Sequence, residues 1–290
     1  MKTKVFLIAL CSGIIQAQAP HRFGAIDGTP IDERDLNVPR ETAIVTYLRQ
    51  HAKQPSSEAE AQSFQDELQC RRLRGVVQEA AKKRAKAELG IFSTDAEIAA
   101  ERKNVVARAP DIEGQKKRYR ERLQALIDGL SAVYDKGQDP DQTYQQLVAP
   151  HGVTKGDWAG NVYLGKDKQE RQKLVQQLAA ATPEAFDRAA DTYDPRPLIE
   201  NQKLEAAVDV LLAASDPKFK ADLNELNASV THPTPNHTAR HGSAIVLDYV
   251  EQERAAWWKA ETGKMNVTLS DQSLYAACGL AAMGVTVPAH

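Results

Sequence analysis

Apolar residues recur along most of this chain at spacings of three to four, the period of a helix that buries one face. Between 57 and 89 the stripe is carried by Phe64, Leu68, Val76, Val77, Ala80 and Ala81. Gly90 follows where a helix end takes a left-handed residue. Thr94 and Glu97 have the spacing of a capping box, and Ile98 opens the next stripe. Pro110 and Gly114 break the chain before a helix over 115–134, in which Tyr119, Leu123, Leu126, Ile127 and Leu130 share a side. Gly137 to Pro140 predicts a turn, and Tyr144, Leu147 and Val148 a short helix. Thr154 caps a segment anchored by Trp158, and another helix covers 168–180. Leu204, Val208, Leu211 and Leu212 stripe a helix over 198–214, and Asp216-Pro217 opens a further turn. Ile245, Val246, Tyr249, Val250, Trp257 and Trp258 stripe a last helix over 244–261.

Strand character is confined to 25–31. There Asp27-Gly28 is a two-residue hairpin turn, because both residues tolerate positive φ. Asp32 then caps a helix, Pro39 limits it, and a helix from Glu41 carries Ile44, Val45 and Leu48. Pro183, Pro195 and Pro197 place a boundary between 181 and 197. Residues 230–242 read as a loop or linker, and 269–287 show no assignable period. The expected fold is therefore mainly α: a helical domain over 20–181 opened by a short strand or hairpin, and a mostly helical region over 182–290. Composition agrees, since aromatics are 6% while helix formers such as Ala, Gln, Glu, Lys and Arg abound.

The first residues change the picture of where such a protein works. Lys2 and Lys4 precede an almost unbroken apolar run from Val5 to Ile15, with Ala17 and Ala19 behind it. That is the layout of a signal peptide over 1–17, with cleavage as late as 19. The run is shorter than the roughly 20 apolar residues a membrane-spanning helix needs. The expected location is periplasmic or secreted, with no stable membrane span. Loss of Lys2 and Lys4 takes the formal charge from −2 to −4, so no global attraction to nucleic acid is implied. Cys70 and Cys278 remain. In an oxidising compartment they could form one disulfide across a very long loop, although sequence does not show whether they meet.

Candidate chemistry is sparse. His232, His237 and His241 lie within ten residues, with Asp248 and Glu251 downstream. Imidazole and carboxylate are sound ligands for zinc, so a metal site is one reading. A flexible polar loop is the other, since Pro233 and Pro235 interrupt the segment and no His-Glu-x-x-His motif is present. No nucleophile elbow, phosphate-cradling loop or dinucleotide fingerprint occurs, so no catalytic residue is assigned and no cofactor is expected. Basic residues cluster at Arg71, Arg72, Arg74, Lys82, Lys83, Arg84 and Lys86, and again at 116–122. These read as solvated helix faces or as surfaces attracting anionic lipid or acidic polypeptide.

Ala25-Ile26-Asp27-Gly28-Thr29-Pro30-Ile31-Asp32, then Val77 to Lys83 with Leu89-Gly90-Ile91, then Thr94-Asp95-Ala96-Glu97-Ile98 follow one another in order. This series resembles the N-terminal chaperone region of the SurA, PpiD and trigger-factor group over residues 24–176, with Asp32 where that group usually has Thr or Ser. The resemblance implies a helical body that binds unfolded or nascent envelope proteins without a reaction. The parvulin-type prolyl isomerase domain often found in that family has no counterpart in the motifs of 182–290, so isomerase activity is not carried over. Tyr119, Tyr144, Trp158, Trp257 and Trp258 are the candidate peptide-binding residues, with core packing as the other role open to each. Two further readings stand beside this one: an exported enzyme or metal-binding protein centred on 230–251, and an adaptor of an envelope complex.

Overall fold

The computed structural model describes residues 22–108, 111–231 and 237–287. They form a mainly α protein with one small sheet. The hairpin β1 (Arg22–Ile26) and β2 (Thr29–Asp32) turns at Asp27 and Gly28, with φ of 48° and 77°, the two positive values that a tight two-residue turn requires. Thirteen α-helical segments follow among the described residues: α1 (Glu33–Leu36), α2 (Arg40–His51), α3 (Glu58–Glu88), α4 (Asp95–Arg108), α5 (Ile112–Tyr134), α6 (Pro140–Thr143), α7 (Lys155–Leu164), α8 (Lys168–Ala180), α9 (Pro183–Thr192), α10 (Arg196–Ser215), α11 (Pro217–Thr231), α12 (His237–Gly263) and α13 (Ser273–Ala277). A third strand, β3 (Val267–Leu269), comes from the far end of the chain and pairs antiparallel with β1, giving the order β2-β1-β3. The closest approach is at Gly24, where a Cβ would stand 2.1 Å from the carbonyl oxygen of Thr268.

The main core lies under α3. Its buried stripe is Cys70, Leu73, Val77 and Ala81, spaced three or four apart as one helical face demands. Ile26, Ile31 and Leu36 cover the stripe from the N-terminal side, and Met265, Val267, Tyr275, Leu280 and Val285 from the C-terminal side. Residues on both sides of position 181 thus share one core. Cys70 and Cys278 are bonded across 208 residues, and Arg74 donates to the Cys278 carbonyl at 3.2 Å. Inside the tail the buried Tyr275 hydroxyl donates to the Val267 carbonyl (2.7 Å) and accepts from the Leu269 amide (3.2 Å). The tail that lacked an assignable period is thus strand, short helix and a 3₁₀ turn at Leu280–Met283.

A second cluster gathers Leu126 and Leu130 of α5 with Val148, Val153 and Trp158. Its neighbour α2 lies against α7 with backbones nearly touching. A Cβ on Gly156 would meet the Arg49 carbonyl oxygen at 2.0 Å, and one on Gly160 the Arg49 side chain at 3.1 Å. A third cluster joins Ala85 to Leu204 and Val208 of α10, with Trp257 and Trp258 of α12 packed on it. Arg254 holds α12 to α10 by a two-pronged bond to Asp209, at 2.8 and 2.7 Å. The span read as a boundary, 181–197, contains the helix α9, whose first residue Pro183 suits a helix start. Of the stretch expected as a loop over 230–242, the described parts are helical: α11 continues to Thr231 and α12 begins at His237, running through Gly242, since one helical glycine costs only about 1 kcal/mol. The segment at Tyr144–Val148 is a π-helical turn.

Three measurements test this arrangement. Joint Cys70→Ser and Cys278→Ser replacement is expected to lower the unfolding free energy in urea by about 2–5 kcal/mol, as a long closed loop implies; a loss below about 1 kcal/mol would mean that the core holds the tail unaided. Gly156→Ala is expected to cost roughly 1–3 kcal/mol by forcing α2 and α7 apart. Gly75→Ala, where an added Cβ meets nothing within 4 Å, should instead gain about 0.5–1 kcal/mol; equal effects at the two sites would refute the close approach. The third concerns acid. Glu60 is held down to about 2 by hydrogen bonds from Ser56 and Tyr47, and Glu97 to about 2 by Lys203 and Thr94. Both lie below the ordinary 4.5. Their stabilisation is therefore complete above pH 4.5 and lost as pH falls through about 2. Thermal melts should show that decline, and Glu97→Gln should make it shallower.

Candidate functional site

The five aromatic residues of the sequence reading do not share a surface. Trp158 is 3% exposed, inside the second cluster, and its indole N–H donates to the Pro140 carbonyl at 3.0 Å. A side chain so enclosed has no face left for a peptide. Tyr144 packs beside the same cluster, with its hydroxyl donating to the Val153 carbonyl at 3.2 Å. Tyr119 is exposed on α5 and meets Phe186 of α9 edge to face. Trp257 and Trp258 are half-buried on α12, edge to face at 4.8 Å between centroids. They serve two different clefts. His232 lies outside the described residues, as do the side chains of His237 and His241, although the latter two belong to the first turns of α12.

The groove lined by Trp258 has a volume of about 530 Å³ and lies between α3, α12 and the 3₁₀ turn of the tail. Ala81 forms part of its α3 side, Ala255 and Ala256 its α12 side, and Ala282 and Met283 its tail side. Ala255, Ala256 and Ala282 are exposed, so its apolar lining is open to solvent. Small side chains keep the trough open, and the flexible, polarizable thioether of Met283 adapts to varied shapes. Trp258 packs against both the main core and the third cluster, which fixes its ring between them. The tail wall is set by Gly284, at φ +97°, where a Cβ would strike the Lys259 carbonyl oxygen at 2.1 Å. Gln78, Lys82, Lys259 and Thr262 supply the polar lining. A concave, mainly apolar surface with a few polar groups is the common form of a ligand site. Ala255, Ala256, Ala282 and Met283 escape a sequence reading because alanine is also the best helix former and marks no particular surface.

Two other clefts are less suited to an apolar guest. One, of about 800 Å³, is lined by Tyr119, Phe186 and Ile112 together with charged groups. There Lys116 contacts Glu113 (2.9 Å) and Asp187 (2.8 Å), and Arg118 contacts Asp111 at 3.1 Å, so its charges are largely matched internally. Trp257 lines the other, of about 360 Å³, beside the buried Glu261 and its partner Lys264.

In the 230–251 region the described chemistry is structural. The Tyr249 hydroxyl donates to Asp216 at 2.5 Å and Lys218 sits over its ring. The bond to Asp216 pushes the Tyr249 phenol up to about 12 and lowers the Asp216 carboxyl, tying α12 to the start of α11. Among the described residues, no set of three or more His, Cys, Asp or Glu side chains is placed to hold a metal ion. Among them, too, no helix is long and apolar enough to cross a membrane. No family model, curated protein or solved structure matches the chain.

Proposed function

We propose that this chain is an exported, chaperone-like protein that binds unfolded or extended polypeptide segments of envelope proteins, without chemistry, in the groove between α3, α12 and the C-terminal turn. The observation that carries this reading is an open trough lined by exposed alanines, Met283 and the edge of Trp258. Apolar side chains of a client gain about 25 cal/mol for each Å² they remove from water there. The gain is non-directional, so it suits guests of varied sequence. Export is supported by the basic and apolar start of the chain and by the Cys70–Cys278 bond, a linkage that persists in oxidising compartments. The sequence resemblance to the SurA, PpiD and trigger-factor group points the same way.

Light scattering from an unfolded outer-membrane protein tests the reading. The purified protein at several-fold molar excess should slow aggregation. Ala256→Arg, which fills the trough from an exposed position, should remove that effect while changing stability by less than about 0.5 kcal/mol. Failure of the wild type to slow aggregation would refute the reading, and so would an Ala256→Arg variant as active as the parent.

A further inference from the structure

We propose that the groove selects segments in which a short apolar run is flanked by acidic residues; this rests on the peptide-binding reading above and names its preferred client. The groove is lined by two ammonium groups, Lys82 on α3 and Lys259 on α12, and by no carboxylate. Lys259 is exposed and has no carboxylate partner among the described residues. Half-buried Lys82 contacts the exposed Glu79 at 2.8 Å, a pair at the surface that an incoming carboxylate can replace at little cost. The two cations therefore lie on opposite helices beside an apolar floor, where an extended segment laid on the floor would carry its flanking side chains.

Of the other cations of α3, all but the exposed Lys83 have partners among the described residues. Arg71 and Arg74 share Glu67, Arg84 holds Glu88, and Lys86 reaches Glu200. Arg72 donates to the Asn37 carbonyl. The basic composition of this helix is thus mostly paired, and the groove itself presents two cations and no carboxylate. An anionic bilayer would need several uncommitted cations on one face, each contributing about 1 kcal/mol. A peptide needs only the two beside the trough. Its apolar centre is required because Ala81, Ala255, Ala256, Trp258, Ala282 and Met283 make up most of the lining, where a charged guest would lose its hydration. Basic flanks would place like charges together and be rejected.

Fluorescence anisotropy on the full, disulfide-bonded protein tests the inference, using three labelled peptides with one apolar core and Glu, Ser or Lys flanks. At about 0.01 M salt, where the screening length is roughly 30 Å, the Glu-flanked peptide should bind roughly three- to tenfold tighter than the Ser-flanked one, and the Lys-flanked one weakest. The ranking should collapse at about 1 M salt, where that length is roughly 3 Å. It should also collapse in a Lys82→Gln, Lys259→Gln variant, in which the Glu-flanked peptide should bind no tighter than the Ser-flanked one. Equal affinities for all three peptides would overturn the acidic preference and leave peptide binding intact. Absence of binding to any of them would overturn peptide binding itself. Vesicles rich in phosphatidylglycerol form the last arm: binding to them that the double variant loses, with peptide ranking unchanged, would assign the two lysines to a membrane and overturn the inference.

Discussion

The stripe of α3 from Cys70 through Leu73 and Val77 to Ala81 cannot be covered by its neighbours in sequence. It is buried by the hairpin at one end of the described chain and by the strand, short helix and 3₁₀ turn at the other. Bringing such distant segments together has a large loop-closure cost, one that grows slowly with length. Three interactions offset it at one place: apolar burial on α3, the ladder between β1 and β3, and the Cys70–Cys278 bond. Each needs the others. The ladder alone is three residue pairs, and a strand that short is marginal without a packed face behind it.

The same closure produces the groove. Leu280 and Val285 are buried on either side of Met283, so the tail that completes the core also stands as a wall above it. Trp258 is shared by the main core and the third cluster. The surface of the trough is in this way the outer edge of two cores that meet at one indole. Rigidity there matters, because a preorganised trough loses less freedom on binding than one that must form around its guest.

Charge follows a parallel logic. The chain carries 37 Lys and Arg against 39 Asp and Glu, a composition from which long helices can present broad fields. Instead most basic residues of α3 meet carboxylates of the same helix, as with Arg71 and Glu67, or tie it to other segments, as with Lys86 and Glu200 or Arg84 and the Lys264 carbonyl. Lys83 stays exposed, and Lys82 and Lys259 line the apolar trough. Individually these surface pairs contribute little.

Local signals carried far in this chain. Asp27-Gly28 gave the hairpin turn through its tolerance of positive φ, and Thr94 with Glu97 formed the expected reciprocal cap, the Thr94 amide donating to Glu97 at 2.8 Å. Helical periodicity located α3, α5, α10 and most of α12, because each buries a face whose spacing is written in neighbouring residues. Burial depth was not legible in the same way: Trp158 is a core residue while Trp258 borders a groove, and both are simply apolar in a helical stripe. The third strand and the tail wall were equally hidden. Val267–Leu269 is too short to show a period and becomes a strand only because β1 offers it an edge. The sequence by itself thus determined the helices, their caps and the turn, since those depend on residues a few positions apart. Only the tertiary structure decided that Cys70 meets Cys278, that the two ends share a sheet, and that alanines scattered over three segments line one trough, because those facts depend on contacts between residues some 200 positions apart.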